Sequence, residues 1–205
     1  MKKTISFLIL FLLFSNTNQA QEKEKIKTTF SVFFSIYDQT KNYGISGEIE
    51  AGEQDFWGIT KEKNHIAAWV INLAYTNTDL KLDTALKSIK GDGLEFGTGY
   101  KGYLLANKNY GFYFEYFIFN GGIYYFDDTI YNTDGTEQKF KGKYSYISFI
   151  NPGLGYKLKI TKNINIEFFG GVFWRGLSDK DEGDIDENMF KDFIPRFGLK
   201  SGWSF

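Results

Sequence analysis

From residue 28 onward, apolar residues alternate with polar or small ones at every second position. The alternation runs in stretches of roughly ten residues, the period and length of a membrane-spanning β-strand. Eight stretches can be read. Thr28–Tyr37 sets Phe30, Val32, Phe34 and Ile36 against Thr29, Ser31 and Ser35. Tyr43–Ala51 sets Tyr43, Ile45 and Ile49 against Ser46, Glu48 and Glu50. His65–Thr76 places Trp69, Ile71, Leu73 and Tyr75 together. Gly93–Leu104 opposes Leu94, Phe96, Tyr100 and Leu104 to Gly93, Glu95, Gly97, Gly99 and Lys101.

The second half continues the pattern. In Tyr110–Phe126, the residues Tyr110, Phe112, Phe114, Tyr116 and Ile118 share a face, and Gly111, Tyr113, Glu115, Phe117 and Phe119 take the other. Lys143–Lys159 carries Tyr144, Tyr146, Ile150, Leu154, Tyr156 and Leu158 opposite Ser145, Asn151, Gly153, Gly155 and Lys157. Asn163–Arg175 sets Ile164, Ile166, Phe168, Val172 and Trp174 against Asn163, Asn165, Glu167, Gly171 and Arg175. Ile194–Phe205 sets Phe197, Leu199, Trp203 and Phe205 against Arg196, Gly198, Lys200 and Gly202. Asn120-Gly121 is also a hairpin signal; a turn there would split the fifth segment and change the count.

One face is thus Phe, Tyr, Ile and Leu, while the other mixes Gly and Ser with charges. Tyr43, Trp69, Tyr75, Trp174 and Trp203 fall near segment ends on the apolar face, as aromatic girdles do at membrane interfaces. Read with the apolar face toward lipid, the chain predicts an all-β fold: an eight-stranded antiparallel up-and-down transmembrane β-barrel. Connections agree in part. Leu105–Asn109 and Thr161–Lys162 are short inside turns, and Asn77–Asp92, Asp127–Gly142 and Gly176–Phe193 are longer outside loops. Asp38–Asn42 is short for an outside loop, and Gly52–Asn64 is long for an inside turn.

Composition narrows the classes. The 205 residues include no Cys, one His and 20% aromatics, with a formal net charge of −1. No disulfide framework, thiolate metal site or cysteine nucleophile is possible, and the charge offers no footprint for nucleic acid. Lys2 and Lys3 precede an apolar run, Ile5–Phe14, then a polar stretch to Ala20. This reads as a secretory signal peptide over residues 1–20, with the barrel domain over 21–205.

The last segment, Pro195-Arg-Phe-Gly-Leu-Lys-Ser-Gly-Trp-Ser-Phe205, steps by two through Phe197, Leu199, Trp203 and Phe205. It resembles the C-terminal signal of bacterial outer-membrane barrels, which the barrel assembly machinery recognises. With the signal peptide and eight segments, the chain resembles a small outer-membrane barrel of the OmpA/OmpX kind. That resemblance implies a bacterial outer-membrane location. It also implies contact with outer-membrane lipid and lipopolysaccharide, and loops available to extracellular or envelope proteins.

Candidate chemistry lies on the inward register: Glu95, Lys101, Glu115, Glu167, Arg175, Arg196 and Lys200. Buried charges require partners, so these predict a lumen network. Phe117, Phe119, Phe169 and Phe173 fall on the same register and would fill the lumen further. His65 stands near an inside turn without a nucleophile beside it, so no catalytic residue, cofactor or metal site is assigned. The acidic stretch Asp179–Asp192 lacks the Gly and Glu positions of a calcium loop. Gly97-Thr-Gly99 and Gly153-Leu-Gly155 lack the Lys and helix of a phosphate loop. Three functions remain open: a non-enzymatic outer-membrane barrel with a structural or surface-interaction role, a narrow channel for small or hydrophobic solutes, and a soluble periplasmic lipocalin-like lipid binder.

Overall fold

The computed structural model describes residues 27–53, 66–81, 88–104, 109–132, 134–175, 178–186 and 189–205. The predicted signal segment and His65 lie outside them. Within them the chain forms β1 (Thr28–Tyr37), β2 (Thr40–Glu53), β3 (Ile66–Leu80), β4 (Ile89–Tyr103) and β5 (Gly111–Tyr131). It continues with β6 (Glu137–Ser148), β7 (Asn151–Lys159), β8 (Ile164–Trp174), β9 (Ser178–Gly183) and β10 (Phe193–Ser204). From β1 to β6 each strand pairs antiparallel with the next, and β1 pairs with both β2 and β10, which closes the sheet. The long β5 pairs with β7 along its first part and with β6 along its second. Thus β6 and β7 are two lengths of one barrel strand. Similarly, β8 pairs with β7 and β9 with β6. The circuit has eight strands; it closes through β1–β10 and β4–β5, and among the described residues only the short β9 at the rim pairs on one side alone, with β6.

Alternation determines the faces. In β1, Thr29, Ser31, Ser35 and Tyr37 are buried, whereas Phe30, Val32 and Ile36 are exposed. β5 passes straight through Asn120-Gly121, so that dipeptide makes no turn. For brevity, the base is the end at Thr28, Tyr103, Lys159 and Ser204, and the rim is the end at Tyr37, Leu80, Phe126 and Trp174.

Two expectations about facing are corrected by one irregularity. Phe117 pairs with Asn151 and Asn120 with Ser148, so Ile118–Phe119 stand opposite Phe149–Ile150. Two residues on each strand interrupt the period, and Ile150 has a φ of 64°. Parity reverses on both strands together, while β4 takes up the mismatch as a register shift between Thr98 and Gly99. Phe119 therefore faces outward, packing against Phe96 and Phe149 with ring centroids 6.1 and 5.9 Å away. Beyond the reversal, Tyr144 and Tyr146 point into the lumen and are buried, not toward lipid as their position in the period predicted. Tyr124 and Phe126 follow them inward.

The expected long outside loops are partly strand. β3 and β4 stay paired to Leu80 and Ile89, and β5 and β6 to Tyr131 and Glu137. The first connection is shorter still: Tyr37 pairs with Thr40, leaving Asp38-Gln39 as the turn, with Asp38 at a φ of 48°. A small side chain able to hydrogen-bond locally tolerates that left-handed position.

Candidate functional site

The lumen contains two structures of different chemistry. Near the base, four charges form a closed quartet. Lys101 Nζ lies 2.7 Å from Glu48 Oε2 and 2.7 Å from Glu167 Oε2. Lys157 Nζ lies 3.1 Å from Glu48 Oε1 and 3.5 Å from Glu167 Oε1. The Tyr103 hydroxyl donates to Glu48 at 2.5 Å. Beside the quartet, Glu115 is shared by Lys200 at 3.1 Å and Arg196 at 3.5 Å. Aromatic faces cover the cations, with Lys101 Nζ 4.3 Å from the Tyr113 ring centre and Lys200 Nζ 5.0 Å from that of Phe169. Opposite these rings the wall is glycine: a Cβ on Gly155 would collide with Tyr113, and one on Gly198 with Phe169.

Toward the rim, ion pairs give way to an aromatic cage. Glu95 is buried, and among the described residues it makes no ion pair. It accepts hydrogen bonds from the hydroxyls of Tyr37, Tyr124 and Tyr146, and from Asn42 Nδ2 at 2.7 Å. The rings of these tyrosines turn toward Arg175. Its guanidinium lies 5.4 Å from the Tyr37 ring centre, 5.6 Å from Tyr124 and 5.5 Å from Tyr146, with Phe190 at 5.2 Å. Arg175 is 1% exposed, and its Nε and Nη2 have no hydrogen-bond partner. Each tyrosine therefore offers its O–H to the carboxylate and its π-face to the cation. Donation to an anion enriches the ring, which strengthens its pull on the guanidinium.

Ile185 and Phe190, between β9 and β10, cover the cage. Phe190 stacks on Tyr144 at 4.0 Å and 16°, and Ile185 and Phe190 join a buried cluster with Leu80, Ile89, Phe126 and Phe140. A passage through the barrel would have to displace both the cage and the quartet.

All seven inward charges expected from the sequence point into the lumen, but in separate groups. Lys101 and Glu167 share the quartet, Glu115, Arg196 and Lys200 form the second group, and Glu95 and Arg175 stand at the rim. Glu48 and Lys157 complete the quartet. Both stand on the polar side of the alternation, which is the sequence signal that could have placed them there. In the rim cage, Glu95 and Arg175 carried the same signal, but Tyr124, Tyr144 and Tyr146 did not, because their facing depends on the reversal of parity. Phe197, Leu199, Trp203 and Phe205 all project from the outer face of β10 and are exposed. The acidic residues near the rim are engaged locally: Asp184 accepts from the Lys141 backbone N–H at 2.8 Å, and Glu182 lies 3.5 Å from Lys143. Among the described residues, no group of three or more His, Asp and Glu could hold a metal ion.

No protein-family model matches the chain, and no curated protein matches it in sequence. Solved structures do. Ail, the attachment invasion locus protein of Yersinia pestis, solved in complex with the heparin analogue sucrose octasulfate, is 10% identical; the match covers 89% of this chain and 100% of that one, with a TM-score of 0.44. CarO2 of Acinetobacter baumannii is 12% identical over 89% of this chain and 100% of that one, with a TM-score of 0.48. The N-terminal β-barrel domain of Pseudomonas aeruginosa OprF is 16% identical over 87% and 97%, with a TM-score of 0.37. At these identities the likeness is one of fold.

Proposed function

We propose that the chain is an integral barrel of a bacterial outer membrane, with a sealed lumen and a structural or surface-interaction role rather than a catalytic one. The observation that carries this reading is the inverted polarity of the wall. Lys101, Lys157, Lys200, Arg175 and four glutamates are buried, while large apolar side chains are exposed all around the barrel. Val32 is 56% exposed, Leu94 61% and Phe168 53%. In water such a surface would aggregate; in a bilayer it is the solvated face, and the polar interior is what a membrane barrel requires. Trp69 and Trp203 near the base, and Tyr43 and Tyr75 toward the rim, provide interfacial anchors. This polarity also disfavours a soluble lipid-binding barrel, whose apolar residues would line the inside.

The filled lumen favours a structural role over transport. The base faces the periplasm in this reading, and the outward row Phe197, Leu199, Trp203 and Phe205 is offered to the assembly machinery. The test is the mobility of the protein from the outer-membrane fraction, boiled against unboiled. Faster migration of the unboiled form is expected. Recovery in the soluble periplasm with no mobility shift would overturn the reading.

A further inference from the structure

At the base lies a cavity of about 290 Å³ into which Lys27, Lys157, Lys159 and Lys162 converge. No carboxylate side chain lines it directly; Glu50 sits behind the lining residue Asn109, whose Nδ2 donates to it at 2.5 Å. Lys157 is the quartet member that reaches this cavity, and it is buried. Lys27, Lys159 and Lys162 make no ion pair among the described residues, whereas the buried lysines Lys101, Lys157 and Lys200 all do. The asparagines of the cavity are held in place: Asn163 Nδ2 donates to the Ser204 carbonyl at 3.0 Å, and Asn165 Nδ2 to Ser204 Oγ at 3.2 Å. The β7–β8 turn that presents Lys162 is closed by backbone bonds from Ile160 and Thr161 to Ile164. The cations therefore converge on a built surface.

A second hollow, about 500 Å³, adjoins the first and shares Tyr110, Lys157 and Lys159 with it. Its remaining wall includes Tyr156 and Leu158, which are exposed on the outer, apolar face. A site that is cationic on one side and continuous with the lipid-facing belt on the other matches an amphiphile with an anionic head. We propose that the base binds a glycerophospholipid with an anionic headgroup. Its phosphate sits among Lys27, Lys159 and Lys162, and an acyl chain runs along Tyr156 and Leu158. Basic pockets at a membrane interface hold such headgroups by this combination of charge and depth. The inference rests on the membrane reading above. It specifies which leaflet-facing end holds the lipid and by which residues.

The experiment is native mass spectrometry of the full barrel in detergent, with dioleoylphosphatidylglycerol and dioleoylphosphatidylcholine at equal concentration. Retention of the anionic lipid is expected to exceed that of the zwitterionic one by about tenfold. K159Q/K162Q should abolish the preference, and K27Q alone should weaken it; K139Q/K141Q at the rim should leave it intact. Excess inorganic phosphate should not displace the lipid, because the chain contacts remain. Equal retention of the two lipids, an unchanged preference in K159Q/K162Q, or displacement by inorganic phosphate would each overturn the proposal. Boiled and unboiled mobility of every variant reports separately on the barrel, so failure of the membrane reading would appear there instead.

Discussion

The base and rim halves of the lumen solve one problem in opposite ways. Both must keep charges buried inside a ring of strands. At the base, Lys101 and Lys157 each reach both Glu48 and Glu167 directly. At the rim, Glu95 and Arg175 are separated by a layer of tyrosines that bond to one and face the other. The difference follows from backbone register. Below Ile118–Phe119 and Phe149–Ile150, the inward positions of β5 and β7 include the charges Glu115 and Lys157, with Tyr113 and Phe117 packed beside them. Above them the inward positions are Tyr124, Phe126, Tyr144 and Tyr146. Without the reversal those rings would face outward, and Phe119, Ile123 and Tyr125 would turn inward in their place, with no hydroxyl layer on Glu95 from Tyr124 and Tyr146. A two-residue irregularity shared by two neighbouring strands thus exchanges a salt-bridge lattice for an aromatic plug without breaking the wall.

The comparison predicts unequal sensitivity to losing a cation. Lys101→Met leaves Glu48 and Glu167 with Lys157 alone, so unfolding in urea from lipid vesicles should cost about 3–5 kcal/mol of stability. Arg175→Met removes a cation with no direct carboxylate partner, and about 1–2 kcal/mol is expected. A loss at Arg175 as large as at Lys101 would break the distinction. Glu95→Gln sharpens it: replacing a charged acceptor of three tyrosine hydroxyls should cost about 1–3 kcal/mol. The double variant with Arg175→Met should be less than additive, because the shared rings couple the two sites.

The sequence resolves the base better than the rim for a physical reason. Through most strands the two faces differ sharply in polarity, so Glu115, Glu167 and Lys200 can be placed from the period alone. Between Tyr110 and Phe126 both faces are aromatic, and a change of parity leaves no mark in the pattern. The facing of Phe119 is hidden for that reason; that of Tyr146 is hidden because its aromatic ring extends the apolar row Leu154, Tyr156 and Leu158 across the break at Phe149–Ile150. Lys157 shows a different limit. Its facing is legible, but its partner Glu48 lies 109 positions away, and only closure of the barrel brings them together. The cover provided by Ile185 and Phe190 is equally non-local, since it follows from how the β9–β10 segment lies across strands distant in sequence.

Packing at the base supplies a smaller effect. The hydroxyl end of the Tyr113 ring lies over Gly155, so Gly155→Ala forces the ring off the wall and away from Lys101. A loss of about 1–3 kcal/mol is expected in the same unfolding assay. Gly135 offers the rim-side contrast, because a Cβ there meets nothing within 4 Å. Its φ of 84° still disfavours a side chain, so Gly135→Ala should cost about 1 kcal/mol through backbone strain alone.

The smallest effect lies in the turn that caps the β5–β6 hairpin, beyond the aromatic cage. The Thr136 hydroxyl donates to Asp134 at 2.6 Å and its backbone N–H at 2.9 Å, and these bonds hold the Asp134 carboxyl below its usual value. A carboxyl lowered in the folded state stabilises the turn above its unfolded pKa of about 3.9, and that contribution fades as pH falls through the lower folded value. The side chain is fully in water, so the effect is local and leaves global stability unmoved. The Thr136 amide resonance should therefore shift only as the sample is taken below about pH 4, and Asp134→Asn should flatten that shift. The cage tyrosines below should show no matching change. A transition shared by Thr136 and Tyr144 would mean that the hairpin tip and the plug move as one unit, and that the rim is less rigid than its stacked rings imply.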